Sequence, residues 1–180
     1  FAETVEEIKW KTTSCGPAFV EYVRKSFPDL MGHVSNTVSP MIAAARLIKS
    51  TDETAKIVFI GPCTAKKMEI KNDDLKGAVD VVITFEELAA MLDAMKINLE
   101  ECDDKALDNA SFYGRIFARS GGVTEAVKQV VERQGLDVEF KPIAVDGLSD
   151  VAKILRLAKA GKLDANFIEG MACKCGCIGG

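Results

Sequence analysis

No stretch of the 180-residue chain reaches the run of about 18 apolar residues that a spanning helix needs, so no membrane span is expected. No Lys/Arg-rich block is present either. Its 23 basic residues are outnumbered by 27 acidic ones, for a net charge of −4 and a pI of about 5.2. That balance excludes nucleic acid as an expected partner. There is one histidine, His33, and one tryptophan, Trp10. No G-x-G-x-x-G segment or phosphate loop occurs, which removes the usual signatures of dinucleotide and nucleotide chemistry. Internal repeats and low-complexity tracts are absent. No basic-then-apolar leader follows Phe1, and a chain that opens on Phe rather than Met is expected to be a fragment of a longer one.

Cysteine, by contrast, is plentiful. Six stand at Cys15, Cys63, Cys102, Cys173, Cys175 and Cys177, three of them within five residues. Thiols that close in sequence cannot all pair with one another, because a disulfide needs Cα atoms roughly 4.4–6.8 Å apart with converging Cβ vectors. A secreted disulfide framework would spread its cysteines through a short, loop-rich chain. Reduced thiols in a cytoplasmic protein are the expectation, and clustered thiols there point to metal. Zinc in a tetrahedron of thiolates is the ordinary rival to iron and sulfide. A redox pair is another, although the spacing is not Cys-x-x-Cys.

Hydrophobic periodicity sets out alternating strands and helices. Residues 9–13 read as a short strand, and residues 1–8 as the tail of a helix. A helix starts at Pro17 and is stopped by Pro28; Ser39 caps a second over residues 41–48. Continuous apolar runs at residues 56–60 and 78–84 suit buried parallel strands. Residues 86–95 form an amphipathic helix, and residues 98–111 an acidic loop with at most one helical turn. Gly121-Gly122 opens a long helix through Arg133, closed by Gly135. A strand is expected at residues 138–145, a helix capped by Ser149 or Asp150 up to Ala160, and a last short strand at residues 166–168. The alternation predicts an α/β fold with parallel pairing, whose ligands collect at the C-terminal strand ends. Cys15, Cys63 and Cys173 each follow such an end.

Three segments carry the chemistry: Thr13-Ser14-Cys15-Gly16-Pro17-Ala18-Phe19, Pro62-Cys63-Thr64-Ala65-Lys66-Lys67-Met68-Glu69, and Glu169 through Gly180. Small residues between thiols let a backbone wrap an iron–sulfur cluster and aim N–H groups at its sulfurs. The Lys66 ammonium would suit an anionic ligand. In this order, with Phe117-Ala118-Arg119-Ser120-Gly121-Gly122-Val123 before the long helix and Ser35 and Ser39-Pro40 in place, the segments resemble the signature motifs of iron-only (FeFe) hydrogenases. The similarity runs along nearly the whole chain.

That resemblance implies two α/β lobes with parallel sheets flanked by helices, a cluster in the cleft between them, and residues 1–180 as one large-subunit region without its upstream ferredoxin-like modules. It implies an H-cluster: a 4Fe-4S cubane bridged through a cysteine sulfur to a diiron unit carrying CO and cyanide. Cys63 and Cys173 would then ligate the cubane, and Cys177 would bridge. Lys66 would hold a cyanide, with Met171 and Phe117 packed around the diiron unit. The implied partners are an upstream ferredoxin-like Fe-S domain or a ferredoxin, and hydrogenase maturation proteins. An oxidoreductase acting on H₂, with electron transfer through iron–sulfur centres, is the implied activity.

Four departures qualify it. The family has two adjacent cysteines before the proline, the first a proton relay and the second a cubane ligand; here they are Cys15 and Gly16. Either three thiolates and another group hold the cubane, or Cys15 becomes the fourth ligand and the relay is lost. The second is favoured, since losing a ligand is the costlier change. Gly61 stands in place of a methionine beside the diiron unit, Met41 in place of a glutamine, and Cys175 in place of a glycine-type residue. Cys175 either replaces a missing ligand or sits nearby as a redox-sensitive thiol. The expected function is therefore hydrogenase-like, catalysing or sensing H₂/proton interconversion with low activity. The alternative is a non-catalytic 4Fe-4S protein of hydrogenase ancestry, in Fe-S assembly or electron transfer. His33 and Cys102 are expected to be ordinary loop residues and Trp10 a core residue; Glu86-Glu87 and Asp103-Asp104 read as solvated.

Overall fold

The structure is a computed structural model that describes residues 9–106 and 110–180; the helix tail expected in residues 1–8 lies outside the described residues. The chain divides into two compact units, residues 1–38 with 110–180, and residues 39–109.

The first unit is built on a parallel sheet of three strands, β1 (Lys11–Thr12), β4 (Pro142–Asp146) and β5 (Phe167–Met171), in the order β1-β5-β4. The central strand, β5, is buried at all five positions. Side chains alternate across a strand, and here the two faces are covered by different helices. On one side Gly170 meets the ring of Phe19 from α1 (Pro17–Ser26), so closely that a Cβ on residue 170 would stand 2.2 Å from it. Phe19 and Val23 continue into a core with Val151, Ala152 and Leu155 of α7 (Leu148–Lys159). On the other side Phe167 and Met171 pack with Val123 of α6 (Gly122–Arg133).

The second unit contains α2 (Pro40–Thr51), a two-stranded parallel sheet of β2 (Val58–Ile60) and β3 (Val81–Ile83), the short helix α3 (Ala65–Glu69) and α4 (Phe85–Ala94). Ser39 caps α2 as expected, its Oγ accepting from the Ile42 N–H. Thr84 and Glu87 close a capping box on α4, so Glu87 is a structural residue rather than a merely solvated one. Asp80 accepts from the Ile57 N–H and from Lys49, and these bonds hold its carboxyl down to about 2.

Three expectations need correcting, and one helix is new. The apolar run at residues 56–60 is not a buried strand: Val58 and Ile60 are 52% and 43% exposed, because only one face of the two-stranded sheet is covered. The strand expected from residue 138 begins at Pro142. Neither Ser149 nor Asp150 caps α7; Gly147 is the N-cap, without a side-chain bond, and Asp150 turns to lysines instead. Past the acidic loop, residues Phe112–Ile116 form a helix, α5, capped by the Ser111 hydroxyl.

Candidate iron–sulfur site

The first motif follows β1 and is stitched to β5. The Thr13 N–H donates to the Ile168 carbonyl (2.9 Å), and Gly170 N–H donates back to the Thr13 hydroxyl (3.2 Å). Cys15 and Gly16 come next, ahead of α1. Gly16 has φ −99°, an ordinary conformation for any residue, and a Cβ there would meet nothing nearer than 3.7 Å. Glycine at this position is therefore not imposed by the backbone or by crowding.

The third motif leaves the end of β5. Gly176 N–H donates to the Cys173 carbonyl (3.2 Å), closing a turn in which Cys175 adopts φ +64°, a left-handed conformation that costs a non-glycine residue roughly 1–2 kcal/mol. Two sets of bonds hold this turn. From one side Lys174 Nζ reaches Asp150 (2.6 Å) and Asp146 (3.4 Å), while Cys175 N–H donates to Asp146 Oδ2 (3.2 Å). The hydrogen bonds from Lys153 and Lys174 hold the Asp150 carboxyl at about 2, and Asp150 in turn raises the Lys174 ammonium above its ordinary value. From the other side the loop before α6 forms an antiparallel bridge, Arg119 with Gly176. Cys177 N–H donates to the Ala118 carbonyl (2.6 Å), and Ser120 N–H to the Cys175 carbonyl (3.2 Å).

Around this clasp the structure gathers the residues expected in the first unit. Cys15, Phe117 and Cys177 all pack against one apolar cluster of Val123, Phe167 and Met171. Cys173 is half-buried and Cys175 exposed. In the second unit Cys63 is half-buried, directly before α3. Lys66, inside that helix, is buried and pairs with Glu69 (Nζ to Oε2, 2.7 Å), each side chain only 9% exposed. Beside them, the ring of Phe59 lies 2.8 Å from where a Cβ on Gly61 would stand, so it fills the place of a side chain at residue 61. Met41 is buried on the inner face of α2.

Among the described residues no three or more His, Cys, Asp or Glu side chains stand close enough together to grip a metal ion. The donor chemistry nonetheless fits a cubane, which is held by soft thiolates. In the first unit Phe117 and Met171 give the thiols an apolar lining, and in the second Lys66 is a buried ammonium close in sequence to Cys63. His33 stacks on Trp10 (ring centroids 3.8 Å apart), and Trp10 packs on the core. Cys102 is exposed and donates to the Asn98 carbonyl. Glu169 received no role from its position in the third motif. It is fully buried, and both its oxygens accept from backbone N–H groups at the start of α6. The available signal was a charged residue at the centre of an otherwise apolar buried strand.

Over residues 1–180 the sequence matches the family described as iron only hydrogenase large subunit, C-terminal domain. The chain belongs to that family. It is 28% identical to iron hydrogenase 1 of Clostridium pasteurianum over 93% of this chain and 37% of that protein. To the NADP-reducing hydrogenase subunit of Solidesulfovibrio fructosivorans it is 30% identical over 93% of this chain and 36% of that protein. A second kind of relative is the cytosolic Fe-S cluster assembly factor NAR1 of Kluyveromyces lactis, 36% identical over 47% of this chain and 18% of that protein. A solved FeFe hydrogenase structure concerned with oxygen damage to the H-cluster superposes with a TM-score of 0.74 at 25% identity, covering 94% of this chain and 60% of that one. The chain thus spans about a third to a half of the hydrogenases it matches. The fold is that of FeFe hydrogenase domains, and no helix among the described residues is long and apolar enough to cross a membrane.

Proposed function

We propose that this hydrogenase-family protein holds an H-cluster and catalyses or senses the interconversion of H₂ and protons, with low turnover. Lys66 carries the reading. An ammonium almost out of solvent, close in sequence to a candidate ligand and ion-paired with Glu69, is the kind of buried cation that an anionic diiron ligand would need. Cys63, Cys173 and Cys177 would ligate the cubane through their thiolates, with Cys177 also serving the diiron unit. Cys15 is the fourth ligand, since it packs on the same apolar cluster as Cys177. Lys66 binds a cyanide, and Phe117 and Met171 keep water away. When bound, the diiron unit supplies the metal at which H₂ reacts. With Cys15 engaged as a ligand, no thiol remains at the relay position to hand a proton on, which is why turnover is low.

Electrons would come from a ferredoxin-like domain or a ferredoxin, and assembly would need hydrogenase maturation proteins. A cytoplasmic location belongs to this proposal; among the relatives one is named periplasmic and several cytosolic.

The second reading, a cubane-only protein in Fe-S assembly or electron transfer, is favoured by the Phe59 ring against Gly61 and by Gly16 itself. Infrared spectroscopy of protein matured anaerobically with the hydrogenase maturation proteins separates the two. CO and cyanide stretching bands are expected, and Lys66→Ala should weaken or abolish them. Iron and sulfide without such bands would leave the cubane-only reading standing.

A further inference from the structure

Glu169 stands in the middle of β5 with 0% of its surface exposed. Side chains two apart on a strand share a face, so Glu169 lies between Phe167 and Met171 on the side that packs against α6 together with Cys15, Phe117 and Cys177. Its Oε1 accepts from the Gly121 N–H and its Oε2 from the Thr124 N–H, both at 2.7 Å. These are the N-cap and third residues of α6, whose cap residue, a glycine, has no side chain to satisfy them. A carboxylate placed there also faces the positive end of a 12-residue helix, which offsets part of its desolvation.

The consequence reaches beyond capping. The Gly121 end of this clamp continues directly into residues 117–120, which grip the cysteine turn through the Arg119–Gly176 bridge and the Cys177-to-Ala118 and Ser120-to-Cys175 bonds. Its other end lies on the strand that runs, through Met171, into Cys173. Glu169 therefore closes a ring: strand, cysteine turn, pre-helix loop, helix start, and back to the strand. We propose that Glu169 is a positioning residue that sets the register of the Cys173–Cys177 turn against Cys15, Phe117 and Met171. The proposal rests on the iron–sulfur reading above for its functional meaning. Its geometry rests on the first unit alone.

Two substitutions separate reach from charge. Glu169→Gln keeps the length but replaces one acceptor oxygen with an NH₂ that would face an N–H donor. Glu169→Asp keeps the charge but is a methylene too short to meet both donors. After anaerobic reconstitution with iron and sulfide, both variants are expected to lose iron to a chelator about tenfold faster than the parent chain, the usual scale for a supporting group behind a ligand. The electron paramagnetic resonance signal of the reduced cubane should shift in both. In metal-free chain, iodoacetamide should label Cys177 several-fold faster in both variants while Cys102, in the other unit, labels at an unchanged rate.

Parent-like chelator kinetics, resonance signal and Cys177 labelling, accompanied only by a lower melting temperature, would overturn the proposal and make Glu169 a simple helix cap. A normal Glu169→Asp beside a defective Glu169→Gln would overturn it in favour of a pure charge effect. If the parent chain assembles no cubane at all, the iron–sulfur reading fails, and Cys177 labelling still decides whether Glu169 positions the turn.

Discussion

Gly16 is the residue on which the chemistry turns. Its backbone is extended, and a Cβ would touch only Phe19 and the Gly170 carbonyl at ordinary van der Waals distance. Gly16→Cys should therefore fold normally; a residue that fits the native φ typically stabilises by about 0.4–1 kcal/mol by narrowing the unfolded ensemble. At the N-cap of α1 the new thiol would also favour its thiolate, the form that binds iron. With Cys15 already the fourth ligand, iron content over time under a chelator is expected to stay close to that of the parent chain. A cubane that resists chelation markedly longer would mean that Cys15 does not complete the ligand set. Gly61 behaves differently. There a side chain would collide with the Phe59 ring, so a larger residue requires Phe59 to move.

At the scale of elements, the cysteine turn is held by its surroundings more than by its own conformation. Cys175 sits at a left-handed φ that glycine would adopt at less cost, and the opposing cost is met by bonds from β4, α7 and the loop before α6. The ion pairs of Lys174 are partly exposed, so they steer the turn more than they stabilise the fold. Their pH dependence has a definite sign. Asp150 is held at about 2, below its ordinary 3.8, so its contribution is complete above roughly pH 4 and is lost as pH falls through 2. Asp150→Asn should therefore melt at a lower temperature than the parent chain at pH 5. Thermal scans should show the gap closing as the pH approaches 2; a constant gap would show that the lost group acts through packing and not through charge.

For the whole molecule, the residues proposed to hold iron are distributed over two compact units. Cys63 and Lys66 belong to one; Cys15, Cys173 and Cys177 belong to the other. A single cubane fed by both predicts that Cys63→Ala and Cys177→Ala each reduce iron content severely, and that the double variant loses little more than either one, since groups acting as one site are not additive. Independent, additive losses would point to separate metal sites. Iron analysis of the three reconstituted variants decides.

Much of this molecule is legible in its amino-acid sequence, because the causes are local. Strand and helix alternation follows from periodicity, and the Ser39 cap and the α4 start follow from side chains bonding N–H groups two or three residues away. The order of the three motifs needs only the sequence, and it places the chain in its family. What the sequence hides depends on groups far apart in the chain. The exposure of Val58 and Ile60 reflects which face of the two-stranded sheet is covered, and an apolar run looks the same whether covered or bare. Lys174 meets Asp150 across 24 residues, and Glu169 meets Gly121 across 48. Such contacts arise from strand order and helix placement, which are set by burial of the chain as a whole. No spacing rule within a single segment encodes them.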